Sequence, residues 1–203
     1  MNIKYNSDRI KEVILLMNYT IVGGMNGTGK SSLTGVLKAE RNDLGHIIDA
    51  DILAYEEHGN LLKGAKKAVS KIKFCLTNNI SFTQETTLSG HMIKRTIKQA
   101  RCRGYQIRLY YVGLNTVEEC IRRVKNRVRK GGHDVPENII RERFQTRFIS
   151  LSKILPFCDE AKFYDNENKF VLTAEYRNGE LLFLGNYQPK WLLQFENYLK
   201  VIK

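Results

Sequence analysis

The sequence predicts an α/β fold of three layers, with a mostly parallel central sheet, a helical lid and a C-terminal β-hairpin. Three observations carry that prediction. Residues 20–38 pass from a β-prone segment through a glycine-rich loop into a helix-forming segment. Short apolar runs then alternate with stretches of helical periodicity, as βαβ units require. Near the C-terminus, Asn178-Gly179 lies between two β-prone runs and can supply the positive φ angles of a tight hairpin turn.

The elements follow in order. Residues 7–17 read as helix, capped by Ser7 or Asp8, and Met17 to Val22 as the first strand. After the glycine-rich loop a helix runs to about Arg41, and His46-Ile47-Ile48-Asp49 is a short strand ending on acid. Apolar Leu62, Ala65, Val69, Ile72 and Leu76 give residues 61–77 helical spacing. Ile80 to Glu85 is a third strand, also ending on acid, and a helix from about His91 to Arg103 stops before Gly104. Gln106 to Val112 is strand. Two helices follow, with apolar stripes at Val117, Ile121, Val124, Val128 and at Ile140, Phe144, Phe148, Leu151, Leu155. Between them, Lys130-Gly131-Gly132-His133-Asp134-Val135-Pro136 reads as a hinged loop. Ala161 to Asp165, Phe170 to Glu175 and Leu181 to Leu184 are further strands, and Trp191 to Leu199 a closing helix, with Trp191 in packing.

Residues 24–31 are Gly24-Met25-Asn26-Gly27-Thr28-Gly29-Lys30-Ser31, a phosphate-binding loop pattern set between strand and helix. That turn aims backbone N–H groups and a helix N-terminus at one point, where a polyphosphate binds. Gly24, Asn26, Gly27, Thr28, Gly29, Lys30, Ser31 and Ser32 form the expected cradle for ATP. Lys30 is expected to reach the β- and γ-phosphates, and the Ser31 hydroxyl to ligate Mg²⁺. The fold class is thus a P-loop NTPase or kinase.

Composition narrows the rest. At 203 residues, 42% hydrophobic and 27% charged, the chain suits one domain over 1–203, with a lid at about 123–147 and a hairpin and helix at about 170–200. Such a domain buries roughly 70% of its unfolded surface. No run of eighteen apolar residues exists, so no membrane partner is expected, and Val13 to Met17 is too short and too charged in its flanks for a signal peptide. Cys75, Cys102, Cys120 and Cys158 are widely spaced and show no metal pattern, which suits reduced thiols in a cytoplasmic protein. The net charge of +12 has two readings, nucleic-acid binding or service to anionic small molecules.

Ligands of parallel sheets bind beyond the strands' carboxyl ends. Asp49, Asp51 and Glu85 therefore should join the phosphate loop at one rim. One of these acids is the expected general base, Asp51 ahead of Asp49, unless they hold Mg²⁺ through water or cap helices. Glu85 divides between ordering Mg²⁺ or water and bonding substrate, and the hydroxyls of Thr86, Thr87 and Ser89 suit a polar acceptor. In 122–130, Arg123, Arg127 and Lys130 share a helical face, and Arg143 and Arg147 repeat the spacing on the next helix. A lid of this kind carries arginines onto the transferring phosphate. Arg127 and Arg143 are the expected pair, Arg141 the reserve, and Arg122, Lys125 and Arg129 are assigned to solvent. His133 is expected to order the lid loop, and His46, His58 and His91 show no constellation. Thr87-Leu88-Ser89-Gly90-His91 is similar to an ABC-transporter ATPase signature but lacks its second glycine.

The ordered set of segments resembles the zeta toxin-like P-loop kinases, in particular their chromosomal branch. The matching stretches are Gly24 to Ser32, Asp49-Ala50-Asp51, Glu85-Thr86-Thr87-Leu88-Ser89-Gly90, Arg123-Val124 with Arg127-Val128, and Gly131 to Pro136, spanning about 18–155. The resemblance implies Asp51 as base, Glu85 and Thr87 on the substrate side with Asp49 and Ser89, and Arg127 and Arg143 as lid arginines. It also implies ATP and Mg²⁺ as cofactors, a UDP-N-acetyl sugar or similar metabolite as acceptor, and an antitoxin protein as partner. Met25 and Ser32 replace the family's proline and threonine, Asp49 its asparagine, and Ser89 an arginine of plasmid-borne zeta toxins. Two other classes stay open, a P-loop NTPase acting on nucleic acid and a nucleotide-gated binding protein.

Overall fold

In a computed structural model, residues 17–202 are described. The expected helix at 7–17, apart from Met17, lies outside them. The elements are β1 (Asn18–Gly24), α1 (Lys30–Glu40), β2 (His46–Asp49), α2 (Ala50–Glu56), α3 (Leu61–Thr77), β3 (Phe82–Thr86), α4 (Met92–Arg101), β4 (Gln106–Gly113), α5 (Val117–Arg129), α6 (Glu137–Ser152), a 3₁₀ turn (Leu155–Phe157), β5 (Glu160–Asp165), β6 (Val171–Arg177), β7 (Glu180–Phe183) and α7 (Lys190–Ile202).

They build one seven-stranded sheet in the order β2-β3-β1-β4-β5-β6-β7. β2, β3, β1, β4 and β5 are parallel, and β6 and β7 add on antiparallel. Alternation along the central strands sorts side chains to two faces. Tyr19, Ile21, Ile107, Leu109 and Tyr111 pack with Ile72 and Leu76 of α3, Ile97 of α4, and Trp191 and Phe195 of α7. Val22, Tyr110 and Val112 point the other way, onto Leu33 and Leu37 of α1. A third cluster joins Met25 of the glycine-rich loop to Cys120, Ile121 and Val124 of α5 and Ile140 of α6. Because it buries Met25, it seats the α5–α6 pair on that loop. Asn178 and Gly179 both have positive φ, 53° and 86°, as the hairpin requires.

Several expectations need correction. The sequence does not predict helix α2, whose seven residues carry too little periodicity to register. Leu155 belongs to the 3₁₀ turn and not to α6, Val128 is 37% exposed and so leaves its stripe, and β6 begins at Val171. The 131–136 loop is also tied down: Gly131 and Gly132 donate to the carbonyls of Val128 and Arg127, and Arg127 Nε donates to the His133 carbonyl at 3.1 Å.

Candidate active site

The strand register assembles the site. Asp49 at the end of β2 pairs with Glu85 in β3, and Gly23 in β1 pairs with Thr86, so acids and glycine-rich loop reach the sheet's carboxyl rim at one level. The loop turns on Gly24, Gly27 and Gly29, all at positive φ, and Thr28 N and Oγ1 both donate to the Met25 carbonyl. Asn166, in the β5–β6 connection, donates from Nδ2 to the Thr28 carbonyl at 2.8 Å and pins the loop from the far side. That residue carried no motif signal. Lys30 opens α1 and donates from Nζ to the Met25 carbonyl at 3.1 Å, folded back along the loop. Burial pulls its pKa down, while Glu85, Asp51 and Asp49 pull it up. Ser32, in the first turn of α1, is exposed.

Ser31 Oγ donates to Glu85 Oε2 at 2.8 Å. Glu85 is 6% exposed, and burial, then repulsion from Asp49, raises its pKa. A neighbouring cation would reverse that rise. A hydroxyl and a carboxylate together offer the hard oxygen donors that Mg²⁺ takes alongside phosphates and water, so these residues fit that ion. No group of three or more His, Cys, Asp or Glu that could hold a metal occurs among the described residues.

Asp49 and Asp51 divide. Asp49 Oδ1 accepts from the Asp51 and Ile52 N–H groups, 2.8 and 3.4 Å, and caps α2. Its expected substrate contact is thus limited to what the capping geometry leaves free. Asp51, in the first turn of α2, lies 3.4 Å from His133 Nε2 of the 131–136 loop. The neighbouring His133 holds the Asp51 carboxyl below its ordinary range; burial opposes this, and Lys30 and Arg143 assist.

Of the cations on α5 and α6, Arg143 donates from Nη1 to Asn26 Oδ1 at 2.9 Å, so α6 touches the phosphate loop. Arg127 Nη2 is buried without a hydrogen-bond partner among the described residues, in the field of Asp51 and Asp49. The other two arginines of the shared faces do not join them. Arg123 is held by Glu119 and by the Asn166 and Glu167 carbonyls. Arg147 lies over the Phe144 and Phe148 rings, 3.7 and 4.1 Å from their centroids. Arg141, the reserve, is spent on Glu118 and Glu137 at the surface, and exposed Lys130 caps α5.

From this rim a cavity of 650 Å³ runs between α3 and α4 over β3. Lys30, Asp49, Asp51, Glu85 and Arg143 border it at the rim, and Thr87 and Ser89, whose hydroxyls are 2.6 Å apart, flank its entrance. The arrangement can hold a polyphosphate on the loop and a second small molecule in the cavity, with Asp51 between them.

Comparison with known proteins agrees with this architecture. No family model matches the sequence. A structure from the PezAT chromosomal toxin-antitoxin system of Streptococcus pneumoniae superposes with a TM-score of 0.61 at 17% identity, over 96% of this chain and 90% of that one. The AvrRxo1-ORF1:-ORF2 complex with ATP gives 0.62 at 14% identity, over 92% and 76%. The fold is that of the zeta toxin-like P-loop kinases. An uncharacterized protein of Haemophilus influenzae is 33% identical over 126 residues, 60% of this chain and 88% of that protein, and the chain belongs to the same family as that protein.

Proposed function

We propose that the chain is an ATP-dependent phosphotransferase that moves a phosphoryl group to an alcohol of a small molecule, a UDP-N-acetyl sugar or another nucleotide-like metabolite. The observation that carries this reading is the meeting of Lys30, Asp51 and Arg143 at the mouth of one 650 Å³ cavity beside the phosphate loop. A hydrolase that uses only water has no need of a second cavity of that size.

The loop amides and Lys30 hold the triphosphate. Ser31 and Glu85 would hold Mg²⁺, which when bound neutralises charge on the phosphates. Thr87 and Ser89 orient the acceptor. Its hydroxyl oxygen forms the new P–O bond as the bond to the leaving diphosphate breaks, and Asp51 takes the hydroxyl proton. A carboxylate of low basicity suffices, because the transition state is loose and positioning supplies most of the rate. Arg127 and Arg143 stabilise the charge on the phosphoryl oxygens, and the seated lid excludes water.

Two of the similar structures come from paired systems, PezAT and AvrRxo1-ORF1:-ORF2, which supports an antitoxin protein as partner. No described helix is long and apolar enough to cross a membrane; we assign the protein to the cytoplasm. The reading is tested by incubating the protein with ATP and a metabolite extract and searching by mass spectrometry for products heavier by one phosphate. Asp51→Asn should abolish such products while ATP still binds, and Lys30→Ala should weaken both. ATP hydrolysis stimulated by DNA or RNA, without any phosphorylated metabolite, would favour the nucleic-acid class instead.

A further inference from the structure

Nothing in the order of the 131–136 loop calls for an imidazole. Gly131 and Gly132 donate backbone N–H groups to the Val128 and Arg127 carbonyls, and the His133 carbonyl accepts from Arg127 Nε at 3.1 Å. Gly132 also lets the Arg127 side chain pass closely, since a Cβ there would lie 2.6 Å from Arg127 Cγ. Val135 packs onto the cluster that holds Val124 and Ile140. These contacts use the main chain or other residues, so they persist whatever side chain stands at 133. The His133 ring is free for another task, and it faces Asp51.

His133 Nε2 is buried, and Asp51 Oδ2, 3.4 Å away, is the acceptor it faces. That separation is long for a hydrogen bond, and contraction by about half an ångström completes it. Catalytic contacts tighten in this way when substrate seats. The Asp51 side chain is 38% exposed, and no other donor among the described residues holds its carboxylate. The contact also weakens the base, because the ring, helped by Lys30 and Arg143, keeps the Asp51 carboxyl below its ordinary range. Each pKa unit of lost basicity slows proton removal by at most about tenfold. A carboxylate misplaced by about 1 Å loses about 10²-fold. Position outweighs basicity.

Resting on the phosphotransferase reading, we infer that His133 is a positioning residue for transfer: its Nε2–H fixes one oxygen of Asp51 so that the other meets the acceptor hydroxyl, while its carbonyl holds Arg127 with one nitrogen free for the transferring phosphoryl group. Base and cation stand on different elements, α2 and α5, and this one residue sets their spacing. The proton does not pass to the ring. Nε2 already carries one, so the acceptor's proton stays on the free Asp51 oxygen until it leaves to water. The task needs an N–H donor of the right reach, not the acid–base chemistry of an imidazole.

The test rests on reach. His133→Gln keeps an N–H donor at nearly the same distance, His133→Ala removes it, and His133→Asn carries an amide one carbon too short. Transfer is read as phosphorylated product formed in a fixed metabolite extract while ATP is varied. His133→Ala and His133→Asn should each lower the maximal rate by about 10²-fold with the KM for ATP little changed, and His133→Gln should recover about tenfold or more of that loss. Equal losses in Gln and Asn, or a full rate in either Ala or Asn, overturn the inference. If His133→Ala does not fold, as scanning calorimetry will show, the Gln and Asn pair still decides. A second arm needs no turnover. By nitrogen NMR of the full chain, the ring signals of the four histidines are compared between the wild type and Asp51→Ala, with His133 assigned from His133→Gln. Loss of the acceptor should move the His133 Nε2 signal and leave those of His46, His58 and His91 in place; an unmoved His133 signal overturns the inference. Failure of transfer in every extract would refute the kinase reading alone, because the ring signal still decides whether His133 holds Asp51.

Discussion

Gly27 and Gly179 have nearly the same backbone angle, φ 83° and 86°, in very different surroundings. At Gly179, at the tip of the β6–β7 hairpin, a Cβ would meet nothing within 4 Å among the described residues. At Gly27 it would lie 2.4 Å from the Cys120 carbonyl oxygen and 3.2 Å from Cys120 Cα. Alanine at either position incurs the left-handed strain of an L-residue, roughly 1–2 kcal/mol. For a chain of this length that lowers Tm by about 2–8 °C. Gly27→Ala must do more. Loop and α5 have to part by about 0.6 Å to restore even a 3.0 Å contact, and Cys120 is wholly buried, so the loop yields rather than the helix. A displacement approaching 1 Å in a positioning element costs about 10²-fold in rate. The expected outcome is that Gly179→Ala loses stability alone, whereas Gly27→Ala also loses about tenfold or more in ATP affinity. Calorimetric titration with ATP beside scanning calorimetry measures both. If Gly27→Ala bound ATP as tightly as Gly179→Ala, the loop would not be the phosphate cradle, and the reading of the site would fail with it.

Other perturbations follow from single contacts. Arg143→Gln should lower transfer by about 10³-fold, the low end for an arginine on a transferring phosphoryl group, while ATP affinity by titration changes little; equal losses in both would reassign Arg143 to nucleotide binding. Trp191→Phe removes the indole N–H donated at 2.8 Å to Asp165, a carboxylate 2% exposed and left with Tyr187 and the Glu167 amide. Loss of a hydrogen bond to a buried charge costs about 1.5–3 kcal/mol, so Tm should fall by about 3–12 °C with no change in ATP affinity. Arg122, then Arg123, hold the Glu119 carboxyl down to about 2. A folded value below the unfolded one gives stability that is present above about pH 4.3 and lost as pH falls toward 2. Glu119→Gln should therefore narrow the gap between urea midpoints at pH 6 and pH 3, and a variant with an unchanged gap would show that the pair contributes nothing.

The fold was legible where periodicity and turn chemistry act locally. α3 and β2 match their expected bounds, since each is flanked by clear breaks: Asn60 caps α3 and Gly45 precedes β2. Asn178-Gly179 marked the hairpin because few other residue pairs take its angles. What local pattern could not supply was strand order, or the seating of the α5–α6 pair, which depends on Met25 burying itself against α5 and α6. A methionine at that position carries no signal until its neighbours are known.

The site divides along the same line. Residues next to strand ends were predictable, because every parallel strand delivers its last residues to one rim; Asp49 and Glu85 meet there by register alone. The arginines were not sortable by spacing. Arg123, Arg127, Arg143 and Arg147 satisfy one helical rule, and what distinguishes them is the company each keeps on another element. Carbonyls of 166 and 167 claim Arg123, and two aromatic rings claim Arg147. Arg143 reaches Asn26 of the phosphate loop, and Arg127 keeps a buried nitrogen free beside Asp51. The cavity cations show the converse. Their abundance is plain in the sequence between 61 and 103, but a lysine-rich amphipathic helix is most often a solvated face. Only the packing of α3 beside α4 over β3 brings Lys73, Arg95 and Arg103 to the border of one cavity, where each stays exposed.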